Sequence, residues 1–156
     1  MTRMRISKNL SYVGSSFTTW EEAIKTVCND AKRLGYVNEG FSEDLLSRER
    51  MYPTGIQAAV PIALPHVGTN CNISFISLLT LKEPLNFRYM DGTAGYLPVQ
   101  IILLLGVADD EQPDVLRRLL YLLRDQQMLM RILAAKDDKE GCEMLAGYLG
   151  DLVELE

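Results

Sequence analysis

The chain has 156 residues, of which 47% are hydrophobic and 24% are charged. These values are ordinary for one globular domain and exclude a disordered chain. Its 21 acidic and 16 basic residues give a net charge of −5, which argues against a nucleic-acid-binding module because such modules carry a basic face. The longest apolar run, residues 101–108, is far shorter than the ~20 residues that span a bilayer.

The first ten residues are polar and basic with no apolar stretch behind them, so we expect neither a signal peptide nor direct membrane insertion. The three cysteines, Cys28, Cys71 and Cys142, form no CxxC pair. We therefore expect reduced, packed thiols in a cytoplasmic protein. His66 is the only histidine, which argues against structural zinc, and we expect neither a metal nor a cofactor.

A first helix is predicted after Thr18 or Thr19, because each is followed three residues later by a glutamate, the spacing of a capping box. Gly35 is placed to end this helix. One apolar stripe marks its buried face, namely Ala23, Ile24, Val27, Ala31 and Leu34.

A second helix is predicted to begin at Ser42 and to end before Pro53, since the residue preceding a proline is pushed out of helical geometry. The segment that follows is irregular. Pro61 and Pro65 cannot both lie in a central strand, so residues 60–64 are expected to form an edge strand or an extended loop.

Residues 73–81 and 99–107 are short runs rich in β-forming residues. The second run is apolar on both faces, as in a central strand that is covered on both sides. Between them, Leu85, Phe87 and Tyr89 alternate with polar residues ahead of an Asp91-Gly92 turn.

The last third of the chain is predicted to be helical. Leucines recur at helical spacing from Leu116 to Leu123, with Asp109 or Asp110 as the cap and Pro113 in the first turn. Residues 128–135 form a shorter helix, and Asp138 caps a last one that runs through Leu149. The pattern therefore predicts a single α/β domain over residues 1–156, a sandwich with a mixed β-sheet flanked by helices on both faces.

His66 is the residue best placed to carry chemistry, although an isolated histidine is more often a surface or packing residue. A short apolar strand leads to it, stiffened by Pro61 and Pro65, and Gly68 frees the chain that follows. Loops at strand ends are where α/β folds tend to place their sites. An imidazole can also accept and release a group near neutral pH.

Two motifs resemble those of one protein family. Arg48-Glu49 is followed by Pro53-Thr54-Gly55-Ile56 and then by Ile62-Ala63-Leu64-Pro65-His66. The pattern resembles the enzyme IIA components of the bacterial sugar phosphotransferase system, in the fructose–mannitol superfamily. The Pro-Thr-Gly-Ile form is most similar to the galactitol-type branch, and the resemblance extends more weakly over most of the chain.

This resemblance implies a phosphocarrier for sugar transport. His66 would take a phosphoryl group from phosphorylated HPr, the general histidine phosphocarrier, and pass it to a cognate IIB component of a sugar permease. The resemblance also implies that the phosphate is carried on Nε2, while a backbone carbonyl holds Nδ1. The transferred unit is loose and metaphosphate-like, so no metal is needed if protein donors gather its charge.

Arg48 is the expected clamp for that charge, because its planar guanidinium matches phosphate oxygens bidentately. The alternative is a solvated cation at the helix end that pairs with Glu49. Arg50, two residues further on, is expected to point elsewhere at the surface.

Thr54 and Gly55 are expected to be structural first, with support of the phosphate site as the alternative. Gly55 would adopt a turn conformation closed to other residues. Thr54 would form hydrogen bonds locally or with the histidine loop.

The chain departs from mannitol-type relatives, which carry a second histidine at the start of the helix after the central strand. Gln112 stands at that position; it cannot titrate, but its amide can donate one hydrogen bond to the phosphate. Two other functions stay open at the level of sequence. One is a regulatory domain whose phosphorylation is a signal without transport, and the other is non-covalent binding of a small molecule at His66.

Overall fold

The computed structural model describes residues 3–108 and 113–156, which form seven strands and five α-helices. The strands are β1 (Met4–Ser15), β2 (Gly55–Ile56), β3 (Ile62–Ala63), β4 (His66–Val67), β5 (Phe75–Arg88), β6 (Tyr96–Gly106) and β7 (Val153–Leu155). The helices are α1 (Trp20–Arg33), α2 (Phe41–Met51), α3 (Pro113–Leu122), α4 (Gln126–Leu133) and α5 (Asp138–Leu149).

All seven strands belong to one sheet, in the order β2-β3-β6-β5-β1-β7, with β4 also paired to β6. Strands β5 and β6 form a long antiparallel hairpin, whereas β1 is parallel to both β5 and β7. Strands β3 and β4 run parallel to β6. The sheet is therefore mixed, as the sequence predicts.

Each face of the sheet carries its own hydrophobic core. Helices α1 and α2 cover one face, where Phe41, Phe75 and Phe87 are buried. Helices α3, α4 and α5 cover the other. Along β6, Ile102 and Leu104 enter the first core and their neighbours enter the second. The predicted α/β sandwich with helices on both faces, and a central strand apolar on both sides, are confirmed.

The sequence analysis predicts no strand at the start of the chain, where the residues are polar and basic, but the structure contains β1 there. Its register with β5 shifts between Ile6 and Ser11, so the simple alternation that marks a strand is interrupted. Ser7 and Ser11 are buried inside it, and the Ser11 hydroxyl donates to the Ser7 carbonyl at 2.8 Å. Strand β7, also unpredicted, is held by parallel pairing with β1.

The expectation of an edge strand or loop at residues 60–64 is wrong. Strand β3 lies between β2 and β6. The prolines are tolerated because they flank this two-residue strand and contribute carbonyl groups, which need no N–H of their own. Pro61 O accepts from Gln100 N–H at 2.9 Å, and Pro65 O accepts from Leu105 N–H at 2.9 Å.

Strand β5 joins two runs that the sequence separates. Residues 75–81 of the first run and residues 85–88 of the alternating stretch both lie in it, and a register shift between Thr80 and Leu85 divides them. Such a shift breaks the alternation without ending the strand.

Helix boundaries agree closely with the prediction. Thr19 caps α1, its Oγ1 accepting from Glu22 N–H at 3.1 Å. Helix α2 begins one residue earlier than expected, after Gly40 in a left-handed conformation. The cap of α5 is Asp137 rather than Asp138, because the Asp138 carboxylate accepts from Val13 N–H instead.

Helix α4 begins at Gln126, behind the Asp125 cap, two residues before the predicted start. The predicted cap of α3 at Asp109 or Asp110 lies outside the described residues. None of the helices in the described ranges has the length and apolarity required to cross a membrane. Cys28 and Cys142 are buried, one in each core, and Cys71 is half-buried.

Two glycines of α5 differ in how closely they approach the sheet. A Cβ on buried Gly141 would lie 2.8 Å from Val13 Cγ2 and 3.0 Å from Leu78 Cδ2, whereas a Cβ on exposed Gly147 would meet nothing within 4 Å. We expect Gly141→Ala to lower the free energy of unfolding by about 1–3 kcal/mol through overpacking. Gly147→Ala should raise it by about 0.5–1 kcal/mol through helix propensity. Urea unfolding of both variants measures the contrast, and equal effects would contradict the close approach at Gly141.

Candidate functional site

His66 lies in the two-residue strand β4, near the carboxyl end of the central strand β6. It pairs with Leu105, and Val67 pairs with Gly106. The backbone is anchored on both sides, because Leu105 N–H donates to Pro65 O at 2.9 Å and Val107 N–H donates to Val67 O at 3.2 Å. The histidine is half-buried. Its main chain is therefore held by the sheet while part of the side chain remains accessible.

The imidazole ring is oriented by its own backbone. His66 Nδ1 lies 2.6 Å from Leu64 O, and a carbonyl oxygen can only accept a hydrogen bond. The proton of the neutral ring is therefore assigned to Nδ1. Because a neutral imidazole carries one N–H, Nε2 keeps its lone pair. This arrangement leaves Nε2 as the ring nitrogen with an available lone pair.

Leu64, which supplies that carbonyl, is held in turn by the end of α2. Its N–H donates to Thr54 Oγ1 at 3.1 Å. Thr54 donates twice to the Glu49 carboxylate, from Oγ1 to Oε1 and from N–H to Oε2, both at 2.8 Å. All three residues are buried. A continuous set of hydrogen bonds thus runs from the last turn of α2 to the ring of His66.

Glu49 is the residue of this set that sequence reasoning missed, since it was considered only as a partner for Arg48. A signal was present, because Glu49 follows Leu45 by four residues and Leu46 by three, which places it on the buried face of α2. Burial raises the pKa of its carboxyl to about 7, and the two hydrogen bonds from Thr54 oppose that rise.

Arg48 and Arg50 point in different directions from the same helix. Both are exposed. The Arg48 Cζ lies 5.6 Å from the centre of the Tyr52 ring, and the Arg50 Cζ lies 5.9 Å from that of Trp20. The ion pairs among the described residues include neither arginine, nor do they join Arg48 to Glu49. Arg48 is thus exposed beside Tyr52, on a helix that packs against β4.

Gly55 is required for a reason other than the one expected. Its φ is not in the left-handed region, so the predicted turn conformation is wrong. It pairs with Ala63 in the sheet, and a Cβ here would lie 2.6 Å from Arg88 O. The close approach of the β5 main chain excludes a side chain. Gln112, the remaining predicted site residue, lies outside the described residues.

In the described ranges, no three His, Cys, Asp or Glu side chains are grouped so that they could hold a metal ion. The described residues around the site offer an imidazole Nε2 and guanidinium donors on the neighbouring helix.

The buried carboxyl of Glu49 predicts a pH-dependent stability. Because its folded pKa, about 7, lies above the model value of 4.5, the protonated carboxyl favours the folded state, and this contribution is lost as pH rises through about 7. The Gln side chain of Glu49→Gln does not titrate. We expect its free energy of unfolding, relative to wild type, to rise between pH 4.5 and pH values above 7 by up to about 3 kcal/mol. Urea titrations across this range measure it, and parallel pH profiles for the two proteins would contradict the raised pKa.

Residues 4–147 match the family described as phosphoenolpyruvate-dependent sugar phosphotransferase system, EIIA 2. A multiphosphoryl transfer protein of Haemophilus influenzae is 21% identical over 154 residues, covering 97% of this chain and 30% of that protein. The chain thus spans less than a third of the length of this curated relative.

Two solved structures have a similar fold. The complex of enzyme IIA Mtl and phosphorylated enzyme IIB Mtl from Escherichia coli contains a chain with a TM-score of 0.71 and 23% identity, covering 90% of this chain and 95% of that one. The nitrogen regulatory protein IIA-Ntr from Neisseria meningitidis has a TM-score of 0.69 and 16% identity, with coverages of 90% and 95%. At these identities the likeness establishes the fold alone. The match of the family over residues 4–147, however, shows that this chain belongs to the EIIA type 2 family of the phosphoenolpyruvate-dependent sugar phosphotransferase system.

Proposed function

We propose that this protein is a phosphocarrier that accepts a phosphoryl group on His66 from phosphorylated HPr and passes it to a IIB component. The observation that carries the proposal is the hydrogen bond between His66 Nδ1 and Leu64 O. It leaves the lone pair of Nε2 free in a half-buried strand end. Membership of the EIIA 2 family supports phosphoryl transfer as the chemistry.

Transfer from a donor imidazole to His66 exchanges one nitrogen–phosphorus bond for another. The bond between phosphorus and the donor imidazole breaks as the bond to His66 Nε2 forms, and the donor nitrogen recovers its lone pair. No proton has to move, because Nδ1 keeps its hydrogen and its bond to Leu64 O throughout. Since the bonds broken and formed are alike, this step is nearly thermoneutral and readily reversible.

Arg48 is proposed as the donor that gathers the charge of the phosphoryl oxygens. Its guanidinium is exposed over the Tyr52 ring, and its planar fork matches phosphate oxygens bidentately. Beside it, Met51 and Tyr52 are 70% and 61% exposed. This mixture of one cation and exposed apolar groups suits short-lived docking of two successive partners on one surface.

The proposal also covers the transport system in which the protein acts. We propose a single cytoplasmic IIA domain over residues 1–156 that serves the uptake of a galactitol-like sugar, which the Pro53-Thr54-Gly55-Ile56 form supports. Gln112 is proposed to donate one hydrogen bond to the phosphate in place of a second histidine. Transfer of the phosphoryl group from the phosphorylated protein to a IIB component would distinguish this role from a regulatory one, in which phosphorylation leads to no sugar uptake.

The first expectation concerns the phosphorylated atom. Incubation with phosphoenolpyruvate, enzyme I and HPr should add a single phosphate by intact mass, and His66→Ala should add none, because the chain has one histidine. The label should be lost in mild acid and survive base, as nitrogen–phosphorus bonds do. Phosphate that persists in His66→Ala, or that resists acid, would place the group on another residue.

The second expectation concerns Arg48. Arg48→Ala should slow transfer from phospho-HPr by about 10²–10³, the usual effect of losing one donor that stabilises charge. Arg48→Lys should recover only part of the rate, since a point charge cannot reproduce the fork. Arg50→Ala is the matched control, an exposed arginine of the same helix turn that lies over Trp20. Rapid-quench kinetics measure all three variants, and equal rates for Arg48→Ala and Arg50→Ala would return Arg48 to the role of a solvated cation.

A further inference from the structure

Glu49 is a buried carboxylate that the transfer step does not use, yet hydrogen bonds connect it to the reacting ring. We propose that Glu49 is a positioning residue: when ionised, it orders Thr54 and Leu64 so that His66 keeps its proton on Nδ1 and presents Nε2 to the phosphoryl group. The kinetic part of this proposal rests on the proposed function, whereas the effect on the ring does not.

The direction of each hydrogen bond depends on the charge of Glu49. An ionised carboxylate only accepts, so the Thr54 hydroxyl hydrogen and the Thr54 N–H both point toward it. The lone pairs of Thr54 Oγ1 are then left to accept from Leu64 N–H. Protonation of Glu49 on Oε1 would turn that oxygen into a donor. The Thr54 hydroxyl oxygen would then accept two hydrogen bonds, and its own hydrogen would lose the carboxylate as an acceptor. This change would weaken the hydrogen bonds that connect Glu49 to His66.

Leu64 connects Thr54 to the His66 ring through its two backbone groups. Its N–H, bound to Thr54, and its C=O, bound to His66 Nδ1, flank the same Cα. Pro65 follows and restricts Leu64 to an extended backbone, so the directions of the two groups cannot vary independently. In water, neutral imidazole prefers to carry its proton on Nε2. A carbonyl held in place at Nδ1 reverses that preference.

Glu49 is one of the residues that line a cavity of about 440 Å³. The charged and titratable groups around that cavity are Glu21 of α1, Arg50 of α2, Arg88 of β5 and Tyr96 of β6. The two guanidinium groups lie over the rings of Trp20 and Tyr96 rather than in ion pairs with Glu49. Burial is therefore the main influence on the pKa of Glu49, about 7, and positioning should strengthen as pH rises through neutrality.

The decisive measurement is the tautomer of His66 by ¹⁵N NMR. The chain has one histidine, so protein without a histidine tag, labelled at histidine nitrogens, gives the signals of this ring alone. Wild-type protein should show neutral His66 with its proton on Nδ1. The side chain of Glu49→Gln has nearly the size of the carboxyl group but cannot ionise. This variant should populate the Nε2–H form substantially. Thr54→Val, which removes the hydroxyl, should do the same.

Two matched controls should keep the wild-type tautomer. Thr54→Ser retains the hydroxyl, and Glu21→Gln makes the same change as Glu49→Gln in the same cavity wall, without a hydrogen bond to Thr54. Transfer from phospho-HPr should fall about tenfold in Glu49→Gln, as expected for the loss of one hydrogen bond's positioning, and remain within about twofold in Glu21→Gln. The wild-type rate should also rise more steeply with pH across neutrality than the Glu49→Gln rate.

The outcomes separate the two proposals. A folded Glu49→Gln protein with the wild-type tautomer and rate would overturn the positioning role and leave Glu49 as a packing residue. If Glu49→Gln does not fold, Thr54→Val decides, because it breaks the same connection and keeps the carboxylate. If HPr never phosphorylates wild-type protein while the tautomer still shifts in the variants, the phosphocarrier function fails and the positioning of His66 by Glu49 is supported.

Discussion

Strand β6 is the constraint on which the site depends. One of its edges is bonded to β5 over most of its length, and the other binds the short strands β3 and β4. Two-residue strands have no stability of their own, so the segment that ends at His66 takes its position from β6. Because β6 is buried on both faces, a well-packed strand supports the half-buried ring at its end.

The buried carboxylate of Glu49 illustrates a conflict between stability and function. Burial favours its neutral form and costs stability when the group ionises. The ionised form is nevertheless the one that matches both donors of Thr54. An apolar residue at this position would pack more favourably, but it would leave the Thr54 and Leu64 groups without a fixed order. The structure therefore retains a group that weakens the fold near neutral pH and organises the site.

The end of α2 serves three purposes with three consecutive residues, since each step along a helix turns by about 100°. Arg48 lies over the exposed Tyr52 ring, Glu49 enters the core beside Thr54, and Arg50 lies over Trp20. Helix α2 also packs on β4. Adjacent residues of the motif therefore face different surroundings, with Arg48 exposed and Glu49 buried.

The sequence by itself determined the features that depend on local pattern: the Thr19 cap of α1, the two-faced apolar strand β6, and the Arg48-to-His66 motif with its family. Tertiary structure alone decided β1 and β7, because their strands are stabilised by partners far along the chain and β1 lacks regular alternation. It also decided why Gly55 is glycine, since the excluded volume belongs to Arg88. The resemblance implies a backbone carbonyl at His66 Nδ1, but only the folded direction of the chain identifies it as Leu64 O, because a side-chain pattern does not show which carbonyl reaches the ring.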